Sequence, residues 1–190
     1  MDAIATDGAR RRFTTATALA GAVAGLVGGA CGLVALMLYG LFSDARSFWD
    51  APMAVWSWVF GIEHYTRNAP GDHVWPVILG IIGFLALTAI LGILFAGLLS
   101  LAGAPGDAAT LVSGVLFALA VWLIVRYAIV PLNDGEANLI RSSAVASQWY
   151  WWLSWAILGL GLGVSFDAER RLEPSWFGRT EGHGAPFARA

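Results

Sequence analysis

Four long apolar stretches divide the chain, and each reaches or approaches the length needed to cross a lipid bilayer. A helix needs roughly 20 apolar residues, at about 1.5 Å rise each, to span a hydrocarbon core about 30 Å thick. Backbone groups in lipid must be hydrogen-bonded within their own segment, so these stretches are expected to be helical. The sequence therefore predicts an all-α protein, a bundle of four transmembrane helices at residues 14–41, 75–101, 107–130 and 149–166.

The composition is that of a membrane protein and argues against other classes. Hydrophobic residues make up 58% of the 190 residues and charged residues only 13%, whereas an average soluble domain has about 25% charged residues. A formal net charge of −2 leaves no basic surface to neutralise phosphates, so no nucleic acid is expected as a partner. The single cysteine, Cys31, cannot form an internal disulfide. One membrane domain, residues 14–166, accounts for most of the chain.

The arginines predict the orientation. Four spans place both termini on one side, and that side carries seven of the eleven arginines. The positive-inside rule therefore puts the segments 1–13 and 167–190 in the cytoplasm. Every basic residue is arginine, a codon usage that favours a GC-rich bacterial source and hence the bacterial inner membrane. Arg10 to Arg12 also fit an export signal, but the apolar run after them continues to Tyr39, which favours a retained helix.

Small residues recur at intervals of four in the first and fourth spans. This spacing lets two helix backbones approach closely, which is how helices gain packing energy in lipid. A second pair in the first span, Gly28 and Gly32, lies on a neighbouring strip. We expect the first helix to be the most buried one and to touch the fourth, although the strip also suits a partner subunit. The expected packing residues are Gly21, Gly25, Gly29, Gly159 and Gly163.

The segment between the first two spans has the pattern of an amphipathic helix. Trp49, Met53, Trp56 and Phe60 follow one another at intervals of four, three and four. We predict an interfacial helix over residues 47–62 that lies flat in the outer headgroup region, with these side chains turned toward the bilayer or the bundle.

Nine of the ten tryptophans fall in the outer half of the predicted bundle, and only Trp176 lies on the inner side. Indole rings favour the headgroup level, so an aromatic belt explains part of this distribution. Belts usually form on both faces, and the asymmetry also favours a binding surface. Arg126, near the outer end of the third span, suits either an anchor stacked on Trp122 or a site for an anion or headgroup. The expected surface comprises Trp49, Trp56, Phe60, Trp122, Arg126, Trp149 and Trp152.

No pattern of catalytic or metal-binding residues stands out. His64 follows Glu63 and His73 follows Asp72, but this spacing matches no standard ligand pattern. The membrane interior lacks His, Asp, Glu and Lys, which argues against haem ligation by histidine and against a proton-coupled pump. We therefore predict no catalytic residues, no metal site and no enzyme, and the sequence identifies no cofactor.

The spans resemble those of small four-span bacterial membrane proteins that include the YagU-like inner-membrane proteins. The resemblance implies a four-helix membrane fold and no established activity. The chain differs from these proteins at the start of the last span, where it has Gln148-Trp149 in place of a histidine. The segments that carry it are GAVAGLV at 21–27, LGILFA at 91–96, GVLF at 114–117 with Trp122-Leu123 and Val130-Pro131-Leu132, and ILGLGLG at 157–163.

Three functions fit these features. The first is a non-catalytic accessory or scaffold subunit whose outer aromatic surface binds membrane lipid, another membrane-protein subunit, or a flat apolar cofactor such as a quinone or pigment. The alternative is a small transporter or permeability protein, which requires a water-accessible path lined by Arg126, Thr88 and Ser113. A third is a lipid-modifying enzyme that uses His64 and Glu63 at the membrane surface, but a loop pair alone does not position general acid–base groups.

Overall fold

The computed structural model describes residues 13–42, 47–60, 74–102, 107–129 and 148–172, and every regular element in them is helical. The all-α prediction is therefore confirmed for this part of the chain. The elements are α1 (Thr15–Leu41), α2 (Asp50–Phe60), α3 (Val74–Leu101), α4 (Asp107–Ile124), which continues as a π-helical turn (Val125–Ile129), and α5 (Gln148–Leu172).

Three of the described helices are long and apolar enough to cross a membrane: α1, α3, and α4 together with its π-helical turn. Helix α5 is not among them, because its first turns hold Gln148, Trp149 and Tyr150 and its last turns hold charged residues. It also extends beyond the predicted end of the fourth span at residue 166, so residues 167–172, expected in the tail, are helical.

Helix α1 occupies the centre of the bundle. It packs against α3 on one side and α5 on another, while α4 packs mainly against α5. In its most apolar stretch 56% of the residues are buried, against 28% in α3 and in α4. This confirms the prediction that the first helix is the most buried of the three candidate spans. The glycine contacts described below run in opposite chain directions, so each of these packed pairs is antiparallel.

The contact between α1 and α3 is made by Gly21, Gly25 and Gly29. A Cβ atom on Gly21 would lie 2.5 Å from the carbonyl oxygen of Gly92, and one on Gly25 would overlap the backbone carbonyl of Thr88. The three-glycine strip that the sequence singles out therefore faces α3 and not the last helix. At Gly21 and Gly25 the space is filled by backbone atoms of α3, so only glycine fits there, whereas Gly29 lies against the Thr88 side chain.

Helix α1 does touch α5, as expected, but through its second strip. A Cβ on Gly28 would lie 2.5 Å from the carbonyl oxygen of Leu158, and Gly32 lies against Ser154 and Leu158. The Ser154 hydroxyl donates a hydrogen bond to the Gly32 carbonyl at 2.9 Å. The Tyr150 hydroxyl donates to another α1 carbonyl, also at 2.9 Å. The strip of α1 that contacts α5 is therefore Gly28 and Gly32, and not the strip of Gly21, Gly25 and Gly29.

The strip of small residues on α5 packs against α4. A Cβ on Gly159 would lie 2.6 Å from the Gly114 carbonyl oxygen, and one on Gly163 would lie 2.9 Å from the Leu111 Cα. Gly159 and Gly163 were expected to face the first helix, so this assignment is also corrected. A neighbouring strip of α5, with Ser154, Leu158 and Leu162, already contacts α1, and Gly159 and Gly163 face α4.

Helices α3 and α4 stand apart at the backbone level, and aromatic rings fill the space between them. The Phe95 ring lies 5.4 Å from the Phe117 ring and 5.9 Å from the Phe166 ring, centroid to centroid. Phe95 and Phe166 are both buried. The bundle thus combines close glycine contacts with one wide, aromatic-filled gap.

Helix α2 packs mainly on α3, with a smaller contact to α1. The Ser47 N–H donates to a carboxylate oxygen of Asp50 at 3.0 Å, which fixes the start of the helix. The Pro52 backbone lies against Gly80, and Met53 is fully buried. The predicted helix is present and begins at Asp50, three residues later than expected, while residues 61 and 62 lie outside the described ranges. The described part of its apolar stripe faces the bundle. The side chain of Phe60 lies outside the described residues.

Replacing Ser154 with alanine is expected to lower the free energy of unfolding by about 0.6 kcal/mol, the average for an interhelical hydrogen bond in a membrane. The hydroxyl joins α5 to α1, and the loss should appear in denaturant unfolding of the purified protein in detergent. Ser100→Ala is the matched control, because the Ser100 hydroxyl donates to Gly97 in its own helix at 2.7 Å. Equal losses in the two variants would contradict an interhelical role for Ser154.

Candidate functional site at the aromatic end of the bundle

We call one end of the bundle the aromatic end. It comprises the carboxyl end of α1, the amino ends of α3 and α5, and the π-helical end of α4, which the antiparallel packing brings to the same side. Among the described residues, four strongly exposed aromatic residues lie there: Phe42 at 81%, Trp75 at 71%, Tyr127 at 66% and Trp149 at 61%. The opposite end has Phe13, at 50%, among the described residues.

The exposed aromatic residues come from different helices. Phe42 follows α1, Trp75 lies on α3, Tyr127 on the end of α4 and Trp149 on α5. The rings are therefore carried by four separate helices, of which α3 and α4 stand apart. That arrangement is typical of residues at the headgroup level of a membrane.

A stack of three tryptophans fills the interior at this end. The Trp122 ring lies 5.2 Å from the Trp151 ring, at 15° between planes, and 5.6 Å from the Trp155 ring, at 25°. Trp122 is fully buried, and Trp151 and Trp155 are each 5% exposed. Trp122 was expected on a binding surface and is instead enclosed, because it lies on the face of α4 that packs against α5.

A sequence signal for this burial exists. The buried residues of α4 are Thr110, Gly114, Ala118 and Trp122, each four positions after the last. Small residues at Gly114 and Ala118 allow close approach to α5, and the tryptophan fills the space where the helices reach the aromatic end. The period of four in α4 therefore marks Trp122 as a residue of the packed face.

The other residues of the predicted surface differ in how exposed their side chains are. Trp149 is strongly exposed. Trp49 and Trp152 are half-buried against the core that contains the stacked tryptophans, and Trp56 is also half-buried. The structure thus brings these residues to one end but presents only Trp149 of them to the surroundings in full. Sequence reasoning missed the exposure of Phe42 and Tyr127, which lie beside the ends of predicted spans.

Arg126 lies in the π-helical turn that ends α4. Its guanidinium carbon is 5.5 Å from the centroid of the Tyr127 ring, so the aromatic contact that the structure gives it is Tyr127, where Trp122 was expected. The side chain is half-buried, and its Nη1 is enclosed with no hydrogen-bond acceptor in the described part of the chain.

Two indole nitrogens are, like Nη1 of Arg126, enclosed donors without an acceptor. Nε1 of Trp122 and Nε1 of Trp151 are buried, and the described residues offer neither of them an acceptor. A buried donor left unsatisfied costs about 1–3 kcal/mol, and more if it is charged. Three such donors at one end of a small protein are a substantial cost, which an acceptor from outside the chain would remove.

The residues predicted to line a transport path lie on two helices, α3 and α4, whose backbones stand apart. Thr88 is buried against Gly29, and its hydroxyl donates to the Leu85 carbonyl at 3.0 Å. Ser113 and Arg126 lie on α4, whose backbone stands apart from α3. Thr88 therefore faces α1, while Ser113 and Arg126 belong to a helix that packs mainly on α5, and the transport path stays a prediction.

Within the described ranges no group of three or more His, Cys, Asp and Glu side chains is placed to hold a metal ion. His64 and His73, with their neighbouring carboxylates, lie outside those ranges. No family model, curated protein or solved structure matches this chain. The resemblance to the YagU-like group therefore stays a prediction.

Proposed function

We propose that the protein is a non-catalytic accessory or scaffold subunit of the bacterial inner membrane that binds lipid at its aromatic end. Three of its helices are apolar enough to cross a membrane, and we propose α5 as the fourth span. Gly28 and Gly32, well inside α1, contact α5 between Ser154 and Leu162. A helix in contact with the middle of a spanning helix lies at the same depth, which supports a four-span bundle.

The orientation follows from the arginines. With both termini in the cytoplasm, the aromatic end faces the periplasm, and α2, which packs beside the start of α3, lies at that interface. The resemblance to the YagU-like group implies the same four-helix membrane fold.

The observation that carries the lipid-binding role is that, in the described part of the chain, the most exposed aromatic residues lie at one end of the bundle. A surface for another protein subunit would gather them on one face, where a buried aromatic centre supplies most of the binding energy. Here the exposed rings come from the ends of four helices at one end of the bundle, which suits lipid headgroups. A partner subunit or a flat apolar cofactor is a less well supported occupant of the same end.

Native mass spectrometry of the full chain, released from lipid nanodiscs, tests this function. We expect the wild type to retain lipid and the double variant Trp75→Leu, Trp149→Leu to retain several-fold less, because leucine keeps the apolar area but lacks the amphipathic ring. Phe13→Leu, an exposed aromatic residue at the other end, is the matched control and should retain lipid as the wild type does. A wild-type protein that carries no lipid would contradict the proposal, and a retained protein subunit or cofactor would replace lipid as the ligand.

A further inference from the structure

Two of the three donors without acceptors at the aromatic end belong to stacked rings, and the third lies one turn further along the helix of one of them. Trp122 and Trp151 stack at 5.2 Å between ring centroids. Arg126 follows Trp122 by four residues on the same helix, which places the two side chains on one face about one turn apart. Both indole nitrogens and Nη1 of Arg126 are enclosed. The two tryptophans are more than nine-tenths buried, so bulk water does not satisfy them.

The chemistry of these donors defines what they can bind. An indole N–H only donates, and a guanidinium carries a permanent positive charge and donates through a planar fork. A group that fits all three must be an acceptor with negative charge. Phosphate oxygens meet this requirement, and arginine recognises phosphate through paired, charge-assisted hydrogen bonds.

The position in the bundle suggests the source of that phosphate. Exposed Trp75 and Trp149 mark the headgroup level at this same end. We propose that Arg126, Trp122 and Trp151 form a binding site for the phosphate group of an anionic lipid headgroup. This proposal rests on the proposed lipid-binding function and names the residues and the headgroup chemistry.

The π-helical turn Val125–Ile129 provides the way in. Tyr127, Ala128 and Ile129 are exposed and only Val125 is buried, so few contacts hold the turn against the bundle. π-Helical turns are also frequent at functional sites. An outward shift of this turn opens the space between Arg126 and the stacked tryptophans to a headgroup.

The test compares lipid retention by variants of the full chain in nanodiscs of mixed phosphatidylglycerol and phosphatidylcholine. Wild type should retain phosphatidylglycerol in preference. Arg126→Gln should reduce that retention tenfold or more, while Arg126→Lys, which keeps the charge, should restore part of it. Trp151→Phe should reduce it several-fold through loss of the N–H donor.

Trp155→Phe is the matched control for Trp151→Phe. Trp155 has the same exposure and also stacks on Trp122, but its nitrogen is not one of the enclosed donors without an acceptor. Equal effects of the two variants would show that packing, not donation, controls lipid retention. Thermal unfolding of each variant identifies any loss that comes from misfolding.

The outcomes separate this inference from the function on which it rests. If Arg126→Gln retains phosphatidylglycerol as well as wild type does, the inference is wrong and the lipid-binding function stands. A wild type that retains no lipid would overturn both. If inorganic phosphate alone changes the tryptophan fluorescence of lipid-free protein, and Arg126→Gln abolishes that change, the site recognises free phosphate and the headgroup assignment is wrong.

Discussion

Replacing Gly25 with valine is expected to separate α1 from α3 and to lower the free energy of unfolding by about 3 kcal/mol, the upper end of the usual range for overpacking. A Cβ at this position would overlap the Thr88 carbonyl and lie 3.0 Å from the Ala89 Cα. These are backbone atoms of a helix, so no rotamer change makes room. Denaturant unfolding in detergent micelles, followed by circular dichroism, measures the loss.

Gly83→Val is the matched control. Gly83 lies on the exposed face of α3, and a Cβ there would meet nothing within 4 Å. Valine is a better helix former than glycine, so this variant should be as stable as wild type or slightly more stable. Equal losses at positions 25 and 83 would show that the effect comes from valine within the helix and not from the contact between α1 and α3.

The glycine pattern shows how far the sequence could predict the packing. Spacing at four residues predicted close helix contacts and a buried first helix, because small residues are needed wherever backbones meet in lipid. It did not predict which neighbour lies on which strip. Gly28 and Gly29 are adjacent in sequence, yet they face α5 and α3 respectively. Spacing defines the strips, but the choice of partner depends on how all the helices fill space together.

Connection length was also a weak guide. Residues 103–106 join α3 to α4 by a short link, which would ordinarily favour close neighbours. Instead the rings of Phe95 and Phe117 lie between the two helices and keep their backbones apart. Apolar residues inside a membrane span carry little information on which of them face the core, since lipid accepts them equally well.

The aromatic end was predicted in outline and not in detail. Hydropathy and the order of the spans placed the tryptophans at one end, and the exposed rings of Trp75 and Trp149 agree with that. The division into exposed and enclosed rings depends on the rotation of each helix. The uneven distribution of tryptophans assigned Trp122 to the surface. The period of four from Gly114 through Ala118 instead places Trp122 on the packed face of α4. The π-helical turn at Arg126 has no marker in the sequence that we can identify.

Replacing Trp122 with alanine is expected to have the largest effect of any single tryptophan change, a loss of about 3–5 kcal/mol in the free energy of unfolding. The ring is fully buried and stacks on both Trp151 and Trp155, so its removal leaves a cavity at the centre of the aromatic end. Thermal and denaturant unfolding of the purified variant in detergent measure this loss.

Trp149→Ala is the control, because Trp149 belongs to the same end but is 61% exposed. It leaves no cavity in the bundle, and its expected loss is below about 1 kcal/mol. Similar losses in the two variants would mean that Trp122 is not a core residue. Trp122→Phe adds a further distinction, since phenylalanine keeps part of the stacking but lacks the indole N–H. If Trp122 both fills the core and donates to a ligand, this variant should keep more stability than alanine does and still lose preference for anionic lipid.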